Sequence, residues 1–166
     1  TGCQQTVKYT YKRIKGMKAV IMLGVSLLFL AGCAKKKAEE QAAEDEKIIQ
    51  DYIAANDLNA TASGTGLHYV IDMPGTGASC NSNSNVRVAY KGYLTNGNVF
   101  DESPETGITF GLQSVIQGWT EGIPYFKEGG EGILLIPSAL GYGERSTGTI
   151  PANSVLIFDV KLIEVL

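Results

Sequence analysis

The chain has one histidine, one tryptophan, three cysteines and five prolines in 166 residues. Its lone histidine, His68, has no second imidazole and no useful cysteine spacing near it. A metal constellation and a Ser/His/Asp set are therefore both missing, and His68 itself reads as a surface or edge side chain. No glycine-rich stretch fits a phosphate-cradling loop. A basic stripe is lacking as well. Residues 1–33 hold five basic and no acidic side chains, which leaves nine basic against seventeen acidic residues in 34–166, a formal −8. Such an acidic body has no footprint for a phosphate backbone, and nucleic acid is excluded as a partner. Nor is there a long apolar run: the uncharged, mostly apolar stretch at residues 19–31 covers thirteen positions, short of the roughly 20 that span a bilayer.

What that stretch does match is a secretory leader, which needs about 7 to 15 apolar residues followed by small ones. Met17-Lys18 precedes it and Leu30-Ala31-Gly32-Cys33 ends it. This ending resembles the bacterial lipobox, which implies lipidation at Cys33, a membrane tether through the lipid, and residues 1–32 as a leader with Met17 as its start. Residues 1–16, with Cys3, are set aside from fold reasoning. With the leader gone and Cys33 acylated, Cys80 is the only free thiol, so no intramolecular disulfide can form and stability must come from the core. Ala34 stands where inner-membrane lipoproteins of many Gram-negative bacteria carry Asp, which makes the outer membrane of the cell envelope the expected address.

Residues 33–62 form the next segment. Three lysines and the run Ala38-Glu39-Glu40-Gln41-Ala42-Ala43-Glu44-Asp45-Glu46-Lys47 are rich in helix formers and nearly free of apolar side chains, which predicts a solvated helical linker with a solubilising acidic face. Ile48, Ile49, Tyr52 and Ile53 then repeat at helical spacing and give a short amphipathic helix ending near Asn56. Its apolar face can dock on its own domain or serve a dimer.

Residues 63–166 change character. Most of the twenty glycines fall here, among short β-branched and aromatic runs broken by turn signals, which predicts an antiparallel sheet. Strands are expected at residues 67–72, 86–94, 99–100, 108–110, 132–137 and 154–165, the last long enough to be central. Asn96-Gly97 predicts a type I′ hairpin turn. The only helix candidate is short, residues 116–125, and Pro124 limits it. The fold class is α+β, a curled antiparallel sheet wrapped around one short α-helix.

The succession Val88-Ala89-Tyr90-Lys91-Gly92, Gly97-Asn98-Val99-Phe100-Asp101-Glu102-Ser103, Val115-Ile116-Gln117-Gly118-Trp119, Ile136-Pro137 with Gly141-Tyr142-Gly143, Ile150-Pro151 and Leu156-Ile157-Phe158-Asp159-Val160 resembles the FKBP-type peptidyl-prolyl cis-trans isomerases. The resemblance covers residues 63–166. It implies an enzyme that rotates X-Pro bonds in proline-containing polypeptides, needs no cofactor or metal, and takes macrolide inhibitors. In related proteins a helix such as that at 48–56 can serve dimerisation.

The resemblance also implies roles. Trp119 is the floor beneath the prolyl ring, and Tyr90, Phe100, Val115, Ile116 and Phe158 are walls. Tyr142 and the Ile116 N–H donate to substrate carbonyls. Asp101 fixes the Tyr90 hydroxyl or a substrate group, and Ile150 covers the entrance. Ile108 takes a place usually aromatic in the family, with Phe110 at the next inward position, and the connections at 112–115 and 144–149 are short. Alone, Trp119, Phe158 and Val115 would read as ordinary core residues and Asp101 as a turn former. Tyr142 between two glycines is less easily a core residue. A chaperone-like binding module using the same groove with little turnover is the competing reading.

Overall fold

The computed structural model describes the chain from residue 21 to residue 166, with side chains from residue 34 onward. The proposed start at Met17 and the side chain of Cys33 lie outside the described residues. Contacts gather Ala38–Leu166 into one compact unit. Among the described residues no helix is long and apolar enough to cross a membrane.

Helix α1 runs over Ile21–Ala55. Seven strands follow, β1 (Thr61–Ala62), β2 (His68–Met73), β3 (Asn85–Leu94), β4 (Val99–Glu102), β5 (Ile108–Gly111), β6 (Glu131–Ile136) and β7 (Leu156–Val165), with helix α2 (Gln117–Gly122) between β5 and β6. They make one antiparallel sheet in the order β1-β2-β6-β7-β3-β4, and β5 also pairs with β3. β7 lies between β6 and β3, the central place its long alternation predicts. The sheet thus begins at Thr61, two residues inside the segment assigned to the linker.

Alternation sorts the strands into two faces. Val86 and Val88 of β3, Leu134 and Ile136 of β6, and Leu156, Phe158, Val160 and Leu162 of β7 point inward and bury themselves with Leu67, Leu112, Trp119, Ile123 and Phe126. The Asn96-Gly97 turn differs from the expected type I′, because only Gly97 has a positive φ, 84°. The Gly97 N–H bonds the Leu94 carbonyl at 2.8 Å, the Leu94 N–H bonds Asn98 O at 3.0 Å, and Asn98 N–H bonds the Asn96 side chain. The connection therefore has three residues, a form in which a single left-handed glycine suffices.

The outer face corrects two further expectations. From Asp45 onward α1 is not the solvated spacer expected, whereas residues 38–40 and 42–44 are exposed as expected. Ile49, fully buried, packs with Val70, Leu135 and Val155, and Ile48, Tyr52 and Ile53 flank the contact. Of the two uses open to this apolar stripe, docking on its own sheet is the one seen. Asp45 precedes Ile49 by one helical turn and so faces the same way; it is 1% exposed. His68 is 4% exposed instead of lying at the surface, because β2 turns it outward beneath α1. There Gln50 Nε2 stands 3.2 Å and Glu46 Oε1 3.6 Å from its Nε2.

Candidate active site

A cleft of about 520 Å³ opens on the inner side of the sheet, between β3, β5, α2 and the turn that carries Tyr142. Its position follows from how the edge of β3 is shared. β4 pairs with the second half of β3, with Lys91 opposite Glu102, and β5 pairs with the first half, with Val88 opposite Ile108. Between the two, Ser103 holds Tyr90: its Oγ accepts from the Tyr90 N–H at 2.9 Å and its N–H donates to the Tyr90 carbonyl at 3.0 Å. The backbone of Tyr90 is thus satisfied where the ladder parts. Asp101 of β4 and Ile108 of β5 end up on opposite sides of the gap, both lining the cleft.

Trp119 forms the base of the cleft. It sits in the first turns of α2, and its N–H donates to Ile116 O, the carbonyl of the residue capping the helix, at 2.9 Å. Three rings grip it. Tyr90 meets it edge-on at 4.9 Å and 89°, Phe158 edge-on at 5.2 Å and 83°, and Phe110 at 5.2 Å with a 55° tilt. These centroid separations and crossing angles are the favourable ones for aromatic quadrupoles. Trp119 is 4% exposed, and its Nε1 has no hydrogen-bond partner among the described residues. Val115 and Ile116 supply aliphatic wall, and Ile108, 42% exposed, closes the rim.

Polar groups are few. Tyr90 donates its hydroxyl to Asp101 Oδ2 at 2.7 Å, and Asp101 Oδ1 accepts the Glu102 N–H at 3.0 Å. Burial, and after it the bond to Asp101, pushes the Tyr90 hydroxyl up to about 12, so it stays a neutral donor throughout the physiological range. Tyr142, 38% exposed, hangs over the opening. Among the described residues Asp101 is the only charged side chain lining the cleft. Among the described residues no cluster of His, Cys, Asp or Glu could hold a metal ion.

Nine of the eleven residues singled out for the site meet at this cleft; Phe100 and Ile150 do not. Phe100 packs edge-on against Phe158 at 5.4 Å and 82°. Gly92 makes that contact possible, since a Cβ there would come within 2.6 Å of Phe100 and 2.7 Å of Phe158. Ile150 is 5% exposed and belongs to the inner core. Reciprocal backbone bonds between Thr147 and Ile150, both 2.9 Å, fold the short loop on itself and turn Ile150 inward instead of over the entrance. Sequence reasoning missed Ser114, which lines the cleft from the 3-10 turn Leu112–Ser114. A serine in a short connection carries no pattern that would single it out.

Comparison with known proteins gives concordant results. Residues 77–163 match the family model of the FKBP-type peptidyl-prolyl cis-trans isomerases. The chain is 42% identical over 135 residues to "FKBP-type peptidyl-prolyl cis-trans isomerase FkpA" of Aeromonas hydrophila, a match covering 79% of this chain and 50% of that protein. A probable FKBP-type isomerase of Haemophilus influenzae is 43% identical over 143 residues, 82% of this chain and 58% of its own length. The chain thus spans about half the length of the relatives it matches. The crystal structure of FkpA from Escherichia coli superposes with a TM-score of 0.66 at 36% identity, covering 87% of this chain and 70% of that one. The crystal structure of AtFKBP13 gives 0.59 at 34% identity, covering 64% and 98%.

Proposed function

From the premise that this chain belongs to the FKBP-type peptidyl-prolyl cis-trans isomerase family, we propose that its cleft catalyses rotation about X-Pro bonds in folding polypeptides. The observation that carries this reading is a tryptophan base gripped by three rings in a cleft with a single charged lining residue. Rotation of the amide faces a barrier of about 18 to 20 kcal/mol because the planar form has partial double-bond character. No bond is made or broken, so neither a nucleophile nor a proton donor is required. The rate rises when a site binds the twisted amide better than either planar form. Twisting removes charge separation from the amide, and an apolar wall of Trp119, Phe110, Phe158, Val115 and Ile116 favours the less polar species.

Binding of the flanking peptide holds the prolyl ring over Trp119. Tyr142 donates to a substrate carbonyl from the rim and the Ile116 N–H donates to another, while Asp101 keeps Tyr90 oriented through the 2.7 Å bond between them. The same cleft suits macrolide inhibitors, as the family resemblance implies. Acylation of Cys33 after removal of the leader tethers the enzyme in the cell envelope, at the outer membrane, a reading supported by Leu30-Ala31-Gly32-Cys33 and by Ala34.

The test is an exchange assay on short X-Pro peptides with the full chain and its Asp101→Ala and Tyr142→Phe variants. Wild type should accelerate exchange, and each variant should lose on the order of 5- to 10-fold in kcat/KM, the worth of one hydrogen bond. A folded chain that binds proline peptides but accelerates none of them would replace the isomerase with a binding module.

A further inference from the structure

Asp45 is a buried carboxylate outside the lining of the cleft, and its partners explain why it is there. Its Oδ2 accepts the Ser138 N–H at 2.8 Å and the Ser138 hydroxyl at 2.6 Å, and its Oδ1 accepts from Gln41 Nε2 at 2.8 Å. Asp45 and Ser138 are 1% and 2% exposed. A carboxylate taken out of water is tolerated when donors surround it, and bonds to an ionised acceptor are short and strong. Three donors surround this one, and two of them belong to a single residue 93 positions away in the sequence.

Ser138 is the hub of the turn that presents Tyr142. Its carbonyl accepts the N–H of Gly141 at 3.0 Å and that of Gly143 at 2.8 Å, the two residues flanking Tyr142. The Gly143 carbonyl in turn accepts the Asn153 N–H at 2.7 Å, anchoring the far leg. The path from α1 to the rim of the cleft is thus one carboxylate, one serine and two glycine amides. Glycine on both sides leaves Tyr142 little local rigidity of its own, so its place over the cleft depends on what fixes Ser138.

We propose that Asp45 is a positioning residue for Tyr142: by holding Ser138 it sets the turn that aims the tyrosine at the substrate. For its effect on turnover the proposal rests on the isomerase reading, but its structural part does not.

The experiment compares Asp45→Ala, Asp45→Asn and Ile49→Ala with wild type in the full chain, reading the amide NMR peaks of Gly141, Tyr142 and Gly143 beside kcat/KM. Asp45→Ala should displace all three peaks and lower kcat/KM about fivefold, the worth of one ordinary hydrogen bond. Asp45→Asn should stay within about twofold of wild type with its peaks near theirs, since its carbonyl oxygen can accept both Ser138 donors and its amide can meet a flipped Gln41. Ile49→Ala, which loosens α1 without touching Ser138, should leave peaks and kcat/KM as in wild type. Unmoved peaks or unchanged kcat/KM in a folded Asp45→Ala chain overturn the proposal. So does an equal displacement in Ile49→Ala, which would make it a matter of helix docking in general. If Asp45→Ala does not fold, Ser138→Ala removes the hydroxyl donor alone and should move the same peaks by less. A wild type without activity would end the isomerase reading, and the peaks would still decide whether Asp45 places Tyr142.

Discussion

The two faces of the sheet are built on different principles. Toward the inside, aliphatic and aromatic side chains from β3, β6 and β7 close over α2, and the cleft is that same core left open where β4 and β5 part. Toward the outside, α1 is held by a smaller apolar cluster around Ile49 together with polar pairs: Asp45 with Ser138, and Glu46 and Gln50 with His68. Non-directional burial suits an open pocket, whereas hydrogen bonds fix one register of helix on sheet. The inner face therefore carries both the core and the candidate site, and the outer face carries the orientation of α1.

That division can be broken by a matched pair of substitutions. Trp119→Ala removes the ring on which three others converge; it should cost about 3–5 kcal/mol and abolish measurable isomerisation. Ile49→Ala should cost about 2–3 kcal/mol with kcat/KM intact in the folded fraction. Urea unfolding and peptide exchange measured on the same samples read both quantities. Loss of activity on Ile49→Ala as large as on Trp119→Ala would mean that the two faces are not separable.

A gentler probe sharpens the boundary within the inner face. Gly92→Ala would push a methyl between Phe100 and Phe158, which lie 5.4 Å apart. Overpacking of this kind costs about 1–3 kcal/mol, and because Phe158 also meets Trp119 at 5.2 Å, catalysis should fall with stability. Unchanged turnover with lowered stability would show that Phe100 supports the fold and not the wall.

The inner face was legible in the sequence because its signals are local. Alternation in Val86, Val88 and Tyr90, the turn at Gly97 and the short stretch around Trp119 each read out within a few residues, and the motif order places nearly every cleft residue. The places of Phe100 and Ile150 outside the lining were not legible, because which layer a ring or a branched side chain occupies depends on the packing of neighbours distant in sequence. The outer face was largely illegible. Asp45 in an acidic run looks solvated, and its partner lies 93 residues away. His68 looked exposed because nothing in β2 announces that α1 will cover it.

The smallest effect concerns alkaline pH, and it separates the faces by one tyrosine on each. Tyr90 points inward and is pushed up to about 12 by burial and by Asp101. Tyr93 points outward and is pushed up by burial, then by hydrogen bonds with Tyr52 and Asp159, the latter at 2.8 Å. In the unfolded chain both ionise near the ordinary value of about 10. Since folding raises both, the stability they contribute is fully present below about pH 10 and is lost as the pH climbs toward 12. Thermal unfolding followed from pH 8 to 11 should therefore show a plateau and then a decline, shallower than either buried substitution because both hydroxyls remain partly open to solvent. Tyr93→Phe should flatten part of that decline and leave kcat/KM at neutral pH untouched, whereas Tyr90→Phe should flatten part of it and also weaken catalysis, because its hydroxyl is the one tied to Asp101 at the cleft.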